Sequence, residues 1–305
     1  MSVLRGRRIE VIAPSGSHLS IAEFDRAIAW FEAQGAVLSC EVPRDGWQRF
    51  SAPDDERLAA IHRAAARDDL DAVMATRGGY GLSRLIDRID WSLIADSVAR
   101  GCRWIGYSDF TLIHLALLAH SRSVSWAGPF FNADFGAEEG PDAFTQARFE
   151  ALFSDAGPPG LSWFDPKAPR IQCEGLLWGG NLSMICSVAG SRWCPEVDQG
   201  LLFFEDIGEH PYRLERMLHQ LDALGILRRQ AAVIVGDCSG WRLAPHDQGY
   251  DLEVMLDYWR DRIAVPIVTG LPFGHVRSKA VLGVGLPYRL EVDSAQVVLE
   301  PLSRL

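Results

Sequence analysis

The sequence predicts an α/β protein. Residues 1–155 read as a parallel-sheet domain of flavodoxin/Rossmann-like type, and residues 171–305 as a smaller, mixed α/β domain. Three observations predict this. The first half alternates short apolar strand patterns with amphipathic helix patterns. The densest Pro/Gly punctuation, Ala156-Gly157-Pro158-Pro159-Gly160 and then Asp165-Pro166-Lys167-Ala168-Pro169, marks a linker over 156–170. The second half mixes strands and helices with no obvious parallel alternation.

In order, the first half reads as a strand at Ile9–Ala13, a helix at Ile21–Gln34, a strand near Ala36–Cys40, a helix at Asp54–Ala66 and a strand at Ala72–Thr76. The strand Cys102–Tyr107, a helix over Asp109–His120 and a strand near Ser123–Ala127 extend the same sheet, and a helix over Asp142–Phe153 ends it. Beyond the linker come a turn at Gly179-Gly180-Asn181, a helix at Leu182–Ala189 and a strand at Gly200–Phe204 closing in Glu205-Asp206. A helix at Pro211–Leu224, a strand at Ala231–Val235, a helix at Leu252–Ile263 and short strands complete the chain.

The 305 residues, 48% of them hydrophobic, suffice for two modest cores. A net charge of −10 argues against nucleic acid as partner, because that affinity rests on clustered Lys and Arg. No uncharged stretch reaches the ~20 residues of a membrane span, and the N-terminus reads as a first strand rather than a signal peptide. The expectation is a cytoplasmic protein without a membrane partner. Six scattered cysteines without a C-x-x-C pair indicate neither a disulfide framework nor a metal site.

Ser108, in Gly106-Tyr107-Ser108-Asp109-Phe110, falls at a strand-to-helix corner. There a serine either caps the helix or attacks an electrophile while free N–H groups stabilise the oxyanion. Its own surroundings favour the cap. As nucleophile it needs a base, normally histidine, oriented by a carboxylate. Of eight histidines, His62, His114, His120 and His219 lie in helix patterns, and His18, His210 and His246 in polar loops. His275 follows Leu271-Pro272-Phe273-Gly274 on a loop just after a strand, where catalytic residues concentrate. Glu205 closes an apolar strand, where a charge asks for a partner; Asp206 and Glu209 are alternatives. Arg77-Gly78-Gly79-Tyr80-Gly81 also follows a strand but lacks the phosphate-loop lysine, so nucleotide binding is a weak reading. Its backbone N–H groups suit an oxyanion, and Arg77 suits either a carboxylate or solvent.

These residues, with Ile12-Ala13-Pro14-Ser15-Gly16, Trp178-Gly179-Gly180-Asn181-Leu182 and the run Glu205 to Arg213, closely resemble the LD-carboxypeptidase family of murein-tetrapeptide carboxypeptidases. The resemblance implies a two-domain serine peptidase that needs no metal or cofactor. Ser108 would be nucleophile, His275 general base and Glu205 its orienter, with oxyanion donors from the backbone of Asp109 and of Gly78 or Gly79. It further implies release of terminal D-alanine from a murein tetrapeptide or other muropeptide, in cytoplasmic cell-wall recycling, by a homodimer. Arg77, Tyr80, Trp178 and Asn181 are the expected substrate-binding positions. Relatives often read Thr-Leu-Pro-Leu-Gly after the histidine, where this chain has Ala280-Val281-Leu282-Gly283-Val284-Gly285. Two other readings compete: a microcin-type self-immunity peptidase with the same triad, and a non-catalytic two-domain binding protein in which Ser108 only caps its helix.

Overall fold

The computed structural model describes residues 2–154 and 157–303. Its first sheet is built from β1 (Arg8–Ile12), β2 (Val37–Ser39), β3 (Ala72–Ala75), β4 (Arg103–Gly106) and β5 (Ser125–Ala127). All five are parallel, in the spatial order β2-β1-β3-β4-β5, which is the flavodoxin-like winding. The connecting helices are α1 (Ile21–Ala33), α2 (Asp54–Ala66), α3 (Trp91–Ala99) and α4 (Thr111–Ser121). Each of the first three buries one face, with Ser20 and Asp90 capping α1 and α3. The α3 segment, Trp91-Ser92-Leu93-Ile94, carries a helical apolar pattern absent from the sequence expectations.

α4 is different. From Thr111 to Leu118 every residue is buried, so only the last turn of the helix meets solvent. A helix apolar all round must be enclosed, and this one is wedged between the first sheet and the second half of the chain. The nucleophile candidate, just ahead of it, is thereby set at the junction of the two halves.

After β5 come α5 (Phe131–Phe135) and α6 (Ala143–Ala151), then β6 (Leu161–Phe164) and β7 (Ile171–Asn181). The second sheet continues through α7 (Leu182–Val188), β8 (Leu201–Glu205), α8 (Pro211–Ala223), β9 (Ala232–Val235), α9 (Leu252–Arg262) and β10 (Ile267–Thr269). β11 (Leu282–Val284), β12 (Pro287–Asp293) and β13 (Gln296–Pro301) end the chain. The second sheet runs β10-β9-β8-β7-β12-β13-β6. Its β7-to-β10 half is parallel and the rest antiparallel, so a βα alternation exists where the sequence suggested none.

Three expectations need correction. The 156–170 segment contains strand β6, which zips onto β13; its expected start, at 155/156, lies outside the described residues. Gly179-Gly180-Asn181 is the end of a strand, not a turn. Both glycines have φ above +130°, and a Cβ on Gly179 would strike the Phe203 carbonyl and one on Gly180 the Thr111 hydroxyl. Glycine here lets β7 press against β8 and α4 while staying extended. Finally, β11 leaves the second half and pairs antiparallel with β5 at the edge of the first sheet. The segment from Ala280 to Gly285 thus holds the strand that ties the end of the His275 loop back to the sheet carrying Ser108. Among the described residues no helix is long and apolar enough to cross a membrane.

Candidate active site

Ser108 lies two residues past the end of β4, in a single 3₁₀ turn that leads into α4. Its φ of 56° is left-handed, an uncommon and strained conformation for a residue with a Cβ. The capping reading fails, because neither that turn nor α4 has a side-chain N-cap. The Oγ lies 3.1 Å from His275 Nε2 instead. The strand end below it is pinned by His114, whose Nε2 is 2.9 Å from the Gly106 carbonyl, which also accepts from Gly128 N at 3.1 Å. A carbonyl only accepts, so His114 carries its proton on Nε2, and Nδ1 accepts from the Ser125 hydroxyl at 2.8 Å. Complete burial lowers the His114 pKa to about 4, which keeps this imidazole neutral.

His275 Nδ1 is 2.7 Å from Glu205 Oε2. Glu205, the last residue of β8, is wholly buried. Burial pushes its carboxyl pKa up, opposed by the hydrogen bond and charge of His275. With Nδ1–H donating to the carboxylate, the Nε2 lone pair faces the Ser108 hydroxyl, the arrangement a general base requires. Asn181 Nδ2 donates to Glu205 Oε1 at 3.3 Å and to Asp206 Oδ1 at 3.1 Å, and its Oδ1 caps α7 through Met184 N. Asn181 is therefore occupied as a brace for Glu205 rather than open to a substrate.

The loop after β3 meets Ser108 directly. A Cβ on Gly78 would stand 2.8 Å from both Cβ and Oγ of Ser108. Gly78 O accepts from Gly16 N at 3.1 Å, joining the loops after β1 and β3. These two loops flank the point where strand order reverses, where open α/β sheets bind ligands. The Asp109 side chain completes the brace: Oδ2 accepts from Ser15 Oγ at 2.6 Å and from Leu82 N at 3.0 Å. It is buried, which raises its carboxyl pKa against those two bonds. Among the described residues the backbone N–H groups of Gly78, Gly79 and Asp109 donate to no protein acceptor.

Arg77 is half-buried, with Nη1 donating to Ser17 O at 2.9 Å and no carboxylate partner among the described residues. Burial lowers its pKa below the usual guanidinium range. Tyr80 is exposed at the rim, its ring 6.0 Å from Phe50. Trp178 does not belong to the site. It is 1% exposed and its indole N–H donates to Gln230 Oε1 at 2.9 Å inside the second core, so the expectation of a substrate contact is withdrawn. The competing carboxylates are engaged elsewhere: Asp206 accepts from Ser183 N and Oγ at 2.9 and 2.7 Å, and Glu209 pairs with Arg213 at 3.6 Å. His210 lies against Asp247 at 3.0 Å.

Residues 9–128 match the model of the LD-carboxypeptidase N-terminal domain, and residues 174–290 match that of its C-terminal domain. The chain is 30% identical to the murein tetrapeptide carboxypeptidase of Pseudomonas aeruginosa, over 88% of either protein. It superposes on the crystal structure of a muramoyltetrapeptide carboxypeptidase from Oxalobacter formigenes with TM-score 0.90 and 39% identity, covering 97% of this chain and 99% of that one. A structure of MccF in complex with glutamyl sulfamoyl guanosine gives TM-score 0.86 at 20% identity over 97% and 96%, a likeness of fold alone. With both domain models matched in order and near-complete coverage of a 39%-identical relative, the chain belongs to the LD-carboxypeptidase family.

Proposed function

We propose that this protein is a serine carboxypeptidase that hydrolyses the L,D peptide bond before the terminal D-alanine of a murein tetrapeptide. The observation that carries the reading is the contact chain Ser108 Oγ–His275 Nε2–Glu205, at 3.1 and 2.7 Å. His275 takes the Ser108 proton as Oγ bonds to the carbonyl carbon, and the oxyanion accepts from the N–H groups of Asp109 and of Gly78 or Gly79. The imidazolium then protonates the departing amine as the C–N bond breaks, leaving an acyl-enzyme and free D-alanine. Water, deprotonated by His275, cleaves the ester and restores Ser108. Buried Glu205 holds the Nδ1–H tautomer and balances the imidazolium charge. Arg77, half-buried and without an acidic partner among the described residues, is the anchor for the substrate's terminal carboxylate. The proposed setting is cytoplasmic cell-wall recycling by a homodimer.

The test is incubation with a diaminopimelate-containing tetrapeptide, followed by mass spectrometry. Loss of one alanine with wild type and none with Ser108→Ala is the expected outcome. No loss with wild type, or equal loss with the variant, overturns it. The fold shared with MccF supports a second substrate class, an aminoacyl sulfamoyl nucleoside, so the same assay with that compound separates the two peptidase readings. Binding of the tetrapeptide without turnover is the outcome expected of a non-catalytic binding protein.

A further inference from the structure

The loop carrying His275, residues 270–281, leaves β10 in the second sheet and ends at β11 in the first. Its far end is fastened to the first half at two points. Thr145, fully buried on α6, donates its hydroxyl to Arg277 O at 3.0 Å and accepts from Lys279 N at 2.8 Å. The Lys279 ammonium forms a buried ion pair with Asp134 of α5. The other Asp134 oxygen accepts from Phe130 N at 2.7 Å. Lys279 Nζ also reaches Tyr107 OH at 3.5 Å and lies 4.7 Å from the centre of that ring. Tyr107 precedes Ser108 in the chain, and its ring meets the His275 imidazole edge-on at 5.0 Å.

A buried ion pair is weak support for stability, since desolvation offsets most of the attraction. Its position suggests another role. We propose that the Asp134–Lys279 pair is a positioning device for His275: it fixes the histidine loop against Tyr107 so that Nε2 meets Ser108, and it does so without adding net charge beside the imidazole. This rests on the serine-peptidase reading above. Lys279 and Asp134 touch neither reacting atom and are positioning residues.

The charges around His275 show why neutrality matters. Glu205 approaches from β8, Tyr107 from the end of β4 and Asp134 from α5. Asp142 from the start of α6 and Arg277 from the loop line, with Asp134, Lys279 and Tyr107, a cavity of about 260 Å³ that opens beside the imidazole. Arg277 is paired with Glu139 at 2.9 Å, and Asp142 is spent on capping α6. Asp237 backs the loop at Gly274, its carboxylate bonded to Ser239. With Lys279 cancelling Asp134, Glu205 is, among the described residues, the one unbalanced charge in hydrogen-bond contact with the ring.

The deciding variant replaces both charges by apolar side chains, Asp134→Leu with Lys279→Met, which leaves no unpaired buried ion. If the pair positions His275, this protein folds with a Tm near wild type, but kcat for alanine release falls about 10- to 100-fold with KM little changed. Labelling of Ser108 by a fluorophosphonate, in which an Oγ–P bond forms, P–F breaks and His275 takes the hydroxyl proton, slows in parallel. Asp134→Asn alone leaves the ammonium uncompensated, so the acid limb of the kcat/KM profile moves to lower pH, because a nearby cation disfavours imidazolium. Lys279→Arg, which keeps the charge, retains more activity than Lys279→Met. A folded double variant with wild-type kcat and labelling overturns the proposal. Should the double variant not fold, an unmoved acid limb in Asp134→Asn overturns it. If wild type is labelled yet releases no alanine, the substrate reading fails while labelling rates still test the positioning role.

Discussion

Ser108 stands on a corner between a buried strand and a helix whose first eight residues are all buried, whereas His275 hangs midway along a loop that crosses from one sheet to the other. The serine's surroundings all belong to the first sheet and its loops: Gly106, Asp109 and His114 lie within six residues of it, and Gly78 meets it from the loop after β3. The histidine is held by distant ones: Glu205 on β8, Thr145 on α6 and Asp134 on α5. Ser108 is thus fixed by the packing that makes the first sheet, and His275 by a few polar tethers across the molecule. Such tethers fail singly, which makes the comparison open to experiment.

The sharpest break removes the two ends of the contact chain. Ser108→Ala and His275→Ala should each lower turnover about 10⁴- to 10⁶-fold, and the double variant should be little worse than either, because residues that act as a unit are not additive. Single-turnover kinetics on all three proteins checks this; additive losses would mean that the 3.1 Å contact does not work as one unit.

Next in size is Glu205→Gln, which separates function from stability. The amide can donate to Nδ1 and so place the imidazole proton on Nε2, the wrong nitrogen for a base, at a cost of about 10²- to 10⁴-fold in kcat. Folding raises the Glu205 pKa by burial, so the ionised carboxylate is disfavoured in the folded state at neutral pH. Removing that charge should leave Tm at pH 7 unchanged or higher. A drop of several degrees, measured by calorimetry, would show that the carboxylate holds the loop as well as the proton.

Gly78→Ala probes the serine's side of the comparison. The new methyl would stand 2.8 Å from both Cβ and Oγ of Ser108 and 3.1 Å from the Phe130 ring, so the Ser108 corner or the Gly78 loop must shift. A shift of that order is expected to lower kcat about 10- to 100-fold, with circular dichroism and Tm close to wild type. An active Gly78→Ala protein would mean the corner gives more readily than its packing implies.

The same contrast explains what could be read from the sequence. The parallel sheet, the order of its strands and the Ser108 corner were legible because apolar periodicity and strand-end glycines are local signals, while helix α3 was not. Glu205 was legible as a charge closing an apolar strand. The β7-to-β10 alternation was hidden because Gly179 and Gly180 read as a turn, and Trp178 beside them read as a pocket wall although it is core. Lys279 and Asp134 left one faint mark, a cation just before the apolar run from Ala280 to Leu282; its partner lies 145 residues away, and no local pattern links them. The sequence points only to the backbone of Asp109, yet its carboxylate joins the loops after β1 and β3.

His114 offers the smallest effect and bears on the serine's half alone. Its pKa is about 4 in the folded protein against 6.5 for an ordinary histidine, because burial disfavours the charged ring. Between those values the unfolded chain binds a proton that the folded chain does not, so folding stability falls as pH drops from about 6.5 to about 4. The full contribution is up to about 3 kcal/mol. In His114→Gln the longer amide reaches the place of Nε2 and can still donate to Gly106 O, but the titrating group is gone. Urea unfolding at pH 7 and pH 4.5 should show a smaller pH difference in the variant than in wild type, with activity at pH 7 reduced only a few-fold. An unchanged pH difference would shift the acid sensitivity away from the Ser108 corner and onto carboxylates that backbone N–H groups hold below their usual pKa, Asp142 and Asp247 among them; Asp109, whose pKa burial raises, acts in the opposite direction.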